Sequence, residues 1–341
     1  MISILDNLLF CLILLMFSSL SSYLITPKVI RFLEKKKLVR YDVHKPSRPE
    51  VPHGGGIALF CSLSLTLILS AVLYPNYLIE LLVFYGVTTL SFIVGLIDDI
   101  KILKGQTKTV LSVAAIIPII LGHLICPTRI VLGHPRAPFI GRMRLTIIYW
   151  LLLPFAIAGP ANAVNMLDIM NGIMPYTTLL ASTSLLVSSM LLGNQLGLIL
   201  SIIIIGDLLG YYPYNKYPSK IFNGDSGSLM IGASLGALAV LTRQEIILLV
   251  ALLIHLLNAF LVFSSIKGFK EHREIKERPL KVLEDGTLIA NLSETAPLSL
   301  TRLILLIGGP AKETDIIRIY EVLQWISTFL AITTAIFMVI R

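Results

Sequence analysis

The sequence predicts an all-α polytopic membrane protein with about ten transmembrane helices and a small β-hairpin in its last cytoplasmic loop. Of its 341 residues, 55% are hydrophobic and only 14% are charged, whereas a soluble domain carries about 25% charged residues. Apolar runs long enough to cross the hydrocarbon core of a bilayer recur throughout the chain. We interpret residues 1–341 as a single integral membrane domain.

The distribution of basic residues predicts how these spans are oriented. The predicted spans lie near residues 4–26, 56–74, 78–97, 109–125, 146–161, 172–192, 196–213, 228–241, 246–266 and 317–340. Loops on one side hold 22 of the 28 Lys and Arg residues, and cytoplasmic loops are enriched in these residues. That side is therefore predicted to be cytoplasmic and both termini to be outside, with the basic stretch from Arg129 to Arg144 as an exception.

The net charge and the cysteines exclude several classes of protein. The net charge of +8 reflects basic cytoplasmic loops rather than a nucleic-acid partner. The three cysteines, at positions 11, 61 and 126, are scattered along the chain. They match neither a disulfide framework nor a zinc site.

Short polar segments end several of the apolar runs, and all of them fall on the predicted cytoplasmic side. They are Asp98-Asp99 with Lys108, Asn162 to Gly172, Phe222 to Asp225, the glycine-rich Pro52 to Gly56, and the long loop 267–301. Carboxylates at a membrane boundary are costly, so a chain that repeats them is usually assembling a site. Because hydropathy alone fixes the spans, the convergence of these motifs on one face predicts a single active site.

The pair Asp98-Asp99 with Lys108 is typical of phosphoryl transfer. In that chemistry a carboxylate activates or orients the nucleophile and a lysine neutralises phosphate charge. Two adjacent carboxylates raise each other's pKa unless a cation is close. A metal ion, or the lysines of the same short loop (Lys101, Lys104 and Lys108), would supply that cation. The alternative for this pair alone is that it only marks the end of a helix at the water boundary.

Asn165 and Asp225 are candidate ligands for Mg²⁺, which takes one or two protein oxygens besides water and substrate phosphates. Asn162, three residues before Asn165, would share its helix face. Asn171 would reach a base edge or cap the next helix, and capping is also the alternative for Asp225. Phe222 is either an interfacial aromatic residue or a platform for a nucleobase.

The loop 267–301 is the longest polar stretch, and its Asp285-Gly286 pair predicts a β-hairpin. A basic loop can bind anionic lipid, but a folded loop facing the site favours diphosphate or sugar binding. We also expect an amphipathic helix over 298–309. Among the remaining polar residues, His255 and Asn258 are expected to join helices, Asp168 is interpreted as a solvated boundary residue, and Asp207 has no assigned role.

Together these motifs resemble the polyprenyl-phosphate N-acetylhexosamine-1-phosphate transferases over essentially the whole chain. The family includes the bacterial MurNAc-pentapeptide translocase and the eukaryotic enzyme that begins N-glycan assembly on dolichyl phosphate. The segments Tyr217 to Asp225 and Leu306 to Pro310 look more like the eukaryotic and archaeal GlcNAc-phosphotransferase branch. The bacterial His-rich signature is absent, which disfavours a MurNAc-pentapeptide donor.

The resemblance implies a role for each motif. It implies catalysis by Asp98, Asp99 and Lys108, and Mg²⁺, or Mn²⁺ in its place, held by Asn165 and Asp225. The substrate-binding positions that it implies are Tyr41, Asp42, Val43, His53, Asn162, Asn171, Phe222, His272, Arg273 and Arg278. Two of them depart from the family pattern. His53 stands where the eukaryotic enzymes carry an acid, and the Arg-His-Arg motif is reduced to Glu271-His272-Arg273, with Arg278 as the alternative.

The implied reaction transfers GlcNAc-1-phosphate from UDP-GlcNAc to polyprenyl (dolichyl) phosphate and releases UMP, as the first membrane step of N-glycan-type protein glycosylation. The lipid phosphate would attack the β-phosphorus, with Asp98 orienting the acceptor and Asp99 holding Lys108 or the metal shell. A covalent aspartyl intermediate stays open, as do a homodimer and another UDP-N-acetylhexosamine donor. An ion-coupled transporter is the rival class, but such proteins carry polar groups halfway along broken helices.

Overall fold

The structure is a computed structural model that describes residues 4–101, 103–266 and 277–340, and within these ranges it is mainly helical. The helices are α1 (Ile4–Lys35), α2 (Gly56–Leu73), α3 (Leu78–Ile100), α4 (Gly105–Ala114), α5 (Ile117–Ile125), α6 (Ile147–Leu167), α7 (Ile173–Leu191), α8 (Gln195–Asn215), α9 (Gly224–Thr242), α10 (Glu245–Ala251), α11 (Leu253–Ile266), α12 (Leu300–Gly308) and α13 (Glu313–Val339). Three antiparallel pairs of strands, β1 (Val39–Tyr41) with β2 (Glu50–Pro52), β3 (Arg136–Ala137) with β4 (Gly141–Arg142), and β5 (Leu280–Val282) with β6 (Leu288–Ala290), lie between helices.

Among the described residues, seven helices are long and apolar enough to cross a membrane: α1, α2, α3, α6, α8, α9 and α13. The pair α10 and α11 would make an eighth span, but it is bent by 72°. The pair α4 and α5 is broken in the middle. Helix α7, which contains several buried serines and threonines, is not among the seven. Each predicted span therefore corresponds to a helix or a broken pair, whereas ten membrane crossings are not confirmed.

Helix α9 lies at the centre of the bundle, packed against α3 and α6. Its residues are mostly Gly, Ala, Ser and Leu, and small residues let neighbouring backbones approach closely. A Cβ atom on Gly232 would lie 2.4 Å from the carbonyl oxygen of Pro160 in α6. This packing carries the first turn of α9, with Asp225, between the ends of α3 and α6.

We expect Gly95→Ala to displace the start of α9 and to lower stability. A Cβ atom on Gly95 would lie 2.3 Å from the carbonyl oxygen of Asp225, and overpacking of this kind costs about 1–3 kcal/mol. Thermal unfolding of the purified proteins measures the effect. Gly308→Ala is the control, because nothing lies within 4 Å of a Cβ atom there. Equal losses of stability in the two variants would contradict the close contact between α3 and α9.

The β-hairpin predicted in the last loop is confirmed. Leu280 of β5 pairs with Ala290 of β6, and Gly286 in the connecting turn has a φ of 79°, which glycine adopts readily. Lys312 Nζ donates to Asp285 Oδ2 at 3.1 Å and so ties the turn to the start of α13. The helix expected over 298–309 is observed as α12.

Two polar residues join helices as expected. His255 Nε2 lies 3.0 Å from Thr177 Oγ1, and Asn258 Nδ2 donates to the carbonyl oxygen of Met166 at 3.0 Å. Both residues therefore have structural partners in the described bundle. Asp207 is fully buried in α8.

Candidate active site

Three of the predicted polar segments meet at one end of the bundle. Lys108 Nζ, on α4, donates to Asp98 Oδ2 at the end of α3 (3.0 Å), to Asp225 Oδ2 at the start of α9 (2.5 Å) and to Asn165 Oδ1 near the end of α6 (3.4 Å). Asn165 Nδ2 donates in turn to Asp225 Oδ1 at 2.7 Å and to Ser228 Oγ at 2.8 Å. The side chains of Asp98, Lys108, Asn165 and Asp225 form one hydrogen-bonded group, called here the Lys108 cluster.

The carboxylates of the cluster hold Lys108 in its charged form. Burial disfavours the ammonium, but the neighbouring Asp225 and Asp98 carboxylates outweigh that effect and raise the pKa of Lys108 above its usual value. Lys108 is therefore positively charged throughout the neutral pH range. A cation thus stands where oxygens from three helices converge.

The oxygens that converge there are of the type that Mg²⁺ prefers. Asp225 Oδ2 and Asn165 Oδ1 both face the ammonium of Lys108, and carboxylate and amide oxygens are common Mg²⁺ ligands. In the part of the chain that the structure describes, no group of three or more His, Cys, Asp or Glu side chains gathers as a metal site. The oxygens of Asp225 and Asn165 fit a cation that has two protein ligands and is completed by substrate phosphates and water.

Asp99 has different partners from its neighbour Asp98. Asp99 Oδ1 accepts a hydrogen bond from the backbone N–H of Asp225 at 2.7 Å, and Asp99 Oδ2 accepts from the N–H and Oγ of Ser226 at 3.1 Å and 2.6 Å. These N–H groups lie in the first turn of α9, where no partner exists within the helix. Asp99 therefore caps α9, and Asp98, rather than Asp99, binds Lys108, which corrects that part of the prediction.

The glycine-rich segment and Phe222 meet beside Asp99. His53 Nε2 lies 3.1 Å from Asp99 Oδ1. The backbone N–H of Gly55 donates to the carbonyl oxygen of Phe222 at 2.8 Å, and the N–H of Phe222 donates to the carbonyl oxygen of Pro52 at 2.8 Å. These bonds fix His53 and Phe222 at the border of the Lys108 cluster.

Asn171 contacts Asp42, in the segment Tyr41 to Val43. Asn171 Nδ2 donates to Asp42 Oδ2 at 3.2 Å, and both side chains are buried. Lys45 Nζ also contacts Asp42 and lies 3.7 Å from Glu313 Oε2. No sequence motif singles out Lys45 and Glu313, because both lie in segments with several charged residues.

Other predicted positions are not joined to this site by a described contact. Asn162 Nδ2 donates to the carbonyl oxygen of Ala158 in its own helix at 2.8 Å. Tyr41 is 61% exposed, and the side chain of Arg278 is exposed beside the hairpin. His272 and Arg273 lie outside the described residues.

Comparisons with known proteins identify the family. Residues 81–243, which include the whole Lys108 cluster, match the family model described as glycosyl transferase family 4. A glycosyltransferase of Methanocaldococcus jannaschii, provisionally named, is 30% identical over 287 residues, covering 83% of this chain and 85% of that protein. The chain belongs to the polyprenyl-phosphate sugar-1-phosphate transferases of this family.

Relatives of this transferase carry names from two branches of the family. A Saccharolobus solfataricus protein, provisionally named as a UDP-N-acetylglucosamine–dolichyl-phosphate N-acetylglucosaminephosphotransferase, is 32% identical over 233 residues, covering 64% of this chain and 67% of the relative. The phospho-N-acetylmuramoyl-pentapeptide-transferase of Clostridium novyi is 30% identical over 236 residues, covering 67% and 71%. The family predicted from the motifs is confirmed.

In this transferase Asp168 is partly buried next to the site, which corrects its interpretation as a solvated boundary residue. Asn223 Nδ2, on the segment before Asp225, donates to Asp168 Oδ1 at 2.8 Å. Burial raises the pKa of Asp168 to about 7. Asp168 therefore exchanges its proton near neutral pH while it orients Asn223.

We expect the transferase to lose stability as the pH rises from about 4 to about 7, and Asp168→Asn to reduce that loss. Because the folded state holds the proton of Asp168 more tightly than the unfolded chain does, the free energy of unfolding falls as the pH passes from the unfolded pKa, about 4, to the folded one, about 7. The amide keeps an oxygen that accepts from Asn223. The unfolding temperatures of the wild-type protein and of Asp168→Asn are measured from pH 4 to pH 7. Parallel pH profiles of the two proteins would contradict the role of Asp168 in the loss of stability.

Proposed function

We propose that this transferase moves GlcNAc-1-phosphate from UDP-GlcNAc to dolichyl phosphate and releases UMP. The observation that carries the proposal is the Lys108 cluster, in which one ammonium is held between two carboxylates and an amide at the ends of three apolar helices. The name of the Saccharolobus relative supports this donor and acceptor. The MurNAc-pentapeptide relatives make another UDP-N-acetylhexosamine the second candidate donor.

Asp98 is the group proposed to orient the acceptor phosphate. Its Oδ2 accepts from Lys108 at 3.0 Å and its Oδ1 from the backbone N–H of Leu103 at 2.6 Å, so the carboxylate is held in one orientation. A phosphate oxygen of the lipid would attack the β-phosphorus of the donor, forming one P–O bond while the bond to UMP breaks. Lys108 would stabilise the negative charge on the transferred group. Direct attack and a covalent intermediate on Asp98 both agree with this arrangement.

Mg²⁺ is the proposed cofactor, with Asp225 Oδ2 and Asn165 Oδ1 as its protein ligands. When bound, it would supply positive charge to the diphosphate and to the leaving UMP. Asp225 Oδ1 and Ser228 Oγ accept from the amide nitrogen of Asn165, so the amide oxygen faces the centre of the cluster. Bonds of this kind outside the ligand shell fix ligand orientation, which is the role proposed for Ser228.

The remaining predicted residues divide between the two ends of the donor. Asn171, held by Asp42, is proposed to bind the uracil edge, and the ring of Phe222 is proposed to stack on the base. His53, fixed by Asp99, is proposed to contact the sugar diphosphate. His272 and Arg273, with Arg278 as the alternative, stay proposed ligands of the same group.

The position of the cluster favours an enzyme over an ion-coupled transporter. Asp98 lies in the last turn of α3, Asn165 near the end of α6 and Asp225 in the first turn of α9. Transporter ion sites lie near the membrane midplane, at breaks within helices. A site at one end of the helices can meet a soluble nucleotide sugar and a lipid phosphate together, and we place this end on the cytoplasmic side.

A donor panel tests the proposed function. The full chain is reconstituted with dolichyl phosphate and Mg²⁺ and offered radiolabelled UDP-GlcNAc, UDP-GalNAc or UDP-MurNAc-pentapeptide, with Asp98→Asn as the inactive control. We expect UDP-GlcNAc to give the most lipid-soluble label, EDTA to stop the transfer, and Mg²⁺ or Mn²⁺ to restore it. Faster transfer from UDP-MurNAc-pentapeptide would refute the proposed donor, and transfer unaffected by EDTA would refute the cofactor.

A further inference from the structure

A short basic hairpin lies at the end of the bundle opposite to the Lys108 cluster. In the pair of β3 and β4, Arg136 lies directly opposite Arg142, and like charges in that position destabilise a strand pair. Arg243 follows the last residue of α9. Burial lowers the pKa of Arg243, and the positive charges of Arg142 and Arg136 lower it further. Arg136, Arg142 and Arg243 are called here the arginine cluster.

Little negative charge balances the arginine cluster. The sequence has no Asp or Glu between Asp99 and Asp168, and within the described ranges none of the three arginines forms a salt bridge. Glu245 attracts Arg243 at longer range, but its Oε1 accepts a hydrogen bond from the hydroxyl of Tyr149 at 2.7 Å. The cluster therefore keeps a net positive charge that an anion from outside the chain would balance.

The tip of the same hairpin is apolar and exposed. Phe139 and Ile140 are 75% and 73% exposed. The ring of Phe139 also packs against that of Phe337 in α13, with 5.1 Å between the centroids, which fixes the hairpin to the bundle. An apolar tip beside arginines is typical of a segment at the membrane interface, where the tip enters the acyl region and the charges stay at headgroup level.

The lengths of the helices place the arginine cluster and the active site at opposite membrane faces. Helix α9, Gly224–Thr242, has 19 residues and spans roughly 28 Å at about 1.5 Å per residue. Asp225 lies in its first turn, and Arg243 follows its last residue. The hydrocarbon core of a bilayer is about 30 Å thick. The preference of basic residues for the cytoplasmic side does not account for this cluster, because the basic loops lie at the other end of the helices.

We propose that the arginine cluster binds the phosphate of an anionic lipid headgroup at the membrane face opposite to the active site. Planar guanidinium groups match phosphate oxygens through paired hydrogen bonds. Arg136 and Arg142 face each other across the strand pair, and in the part of the chain that the structure describes no carboxylate forms a salt bridge with them or with Arg243. The apolar tip sets the depth of the cluster in the bilayer, which favours a lipid over a soluble anion. This inference is independent of the identity of the sugar donor.

Quenching of Trp150 by brominated lipids tests the proposal. Trp150 lies in the first turn of α6, next to the hairpin, and Trp325 is the only other tryptophan in the sequence. The full-length Trp325→Phe protein is placed in phosphatidylcholine vesicles that contain a minor fraction of brominated phosphatidylglycerol or brominated phosphatidylcholine. We expect the anionic lipid to quench Trp150 at a several-fold lower mole fraction. Changing all three arginines to Gln should abolish this several-fold preference.

Matched variants show whether the effect belongs to this cluster. The control variant removes the same amount of charge at a different place. It changes three exposed lysines at the C-terminal end of α1 to Gln, namely Lys28, Lys35 and Lys36. The quenching of Trp150 should stay unchanged in this variant. Arg→Lys at the three cluster positions should restore most of the preference. If the triple variant does not fold, the single variant Arg142→Gln, at an exposed position, replaces it in the quenching measurement. Equal quenching by the two lipids, a preference that survives loss of the arginines, or one removed by soluble phosphate would each overturn the proposal.

Discussion

Asp225→Asn should lower the rate of sugar-phosphate transfer by about 10³-fold or more while leaving the helical bundle folded. Both oxygens of Asp225 accept hydrogen bonds, Oδ2 from Lys108 and Oδ1 from Asn165. An amide has one oxygen and one NH₂ group, so either Lys108 or Asn165 would face a second donor. The substitution also removes the only carboxylate in the proposed pair of metal ligands.

The rate is measured with saturating UDP-GlcNAc and dolichyl phosphate over a range of Mg²⁺ concentrations. Ser228→Ala is the matched control, because it removes one acceptor from Asn165 and leaves Asp225 in place. We expect it to lose less than about tenfold, the effect of one hydrogen bond. An Asp225→Asn variant with nearly the wild-type rate and Mg²⁺ dependence would exclude Asp225 from the reacting centre.

Lys108→Met should reduce kcat by about 10²-fold to 10³-fold, the effect of removing a group that stabilises transition-state charge. It should also destabilise the fold by about 3–5 kcal/mol, because the buried carboxylate of Asp98 loses its cationic partner. Lys108→Arg keeps the charge and should restore most of the stability. Since the guanidinium has a different shape, the variant should regain only part of the rate.

The ratio of wild-type kcat to that of Lys108→Arg should stay constant from pH 7 to pH 9. The pKa of Lys108 is raised above its usual value, about 10.4. Its charge, and the stability that depends on it, are therefore present below that value and lost only at higher pH. A ratio that falls within this interval would show that Lys108 gives up its proton there and would contradict the described contacts.

The sequence was sufficient to predict which segments form the helices and which polar segments meet. Apolar runs must become helices in a membrane, because every backbone polar group needs a partner within its segment. Carboxylates at the ends of such runs are costly enough to indicate a site. Together with the distribution of basic residues between the loops, these arguments predict that the segments with Asp98, Lys108, Asn165 and Asp225 lie on one face.

The distinct roles of Asp98 and Asp99 could not be predicted in the same way. Adjacent residues on a helix point about 100° apart, so the rotation of α3 against α4 and α9 decides which carboxylate faces Lys108. The close approach of Gly95 to α9 sets that rotation, and the sequence gives no measure of it. The burial of Asp168 and the contact of Asn171 with Asp42 likewise depend on packing between distant segments.

The fate of the two phosphates of the donor tests the proposed reaction most directly. UDP-GlcNAc labelled with ³²P at either the β-phosphate or the α-phosphate is incubated with the reconstituted protein, dolichyl phosphate and Mg²⁺. Transfer of sugar phosphate predicts that the β-label enters the lipid fraction and that the α-label is released as UMP. Release of the β-label as UDP would show that the sugar alone is transferred, and would contradict attack on the β-phosphorus at the Lys108 cluster.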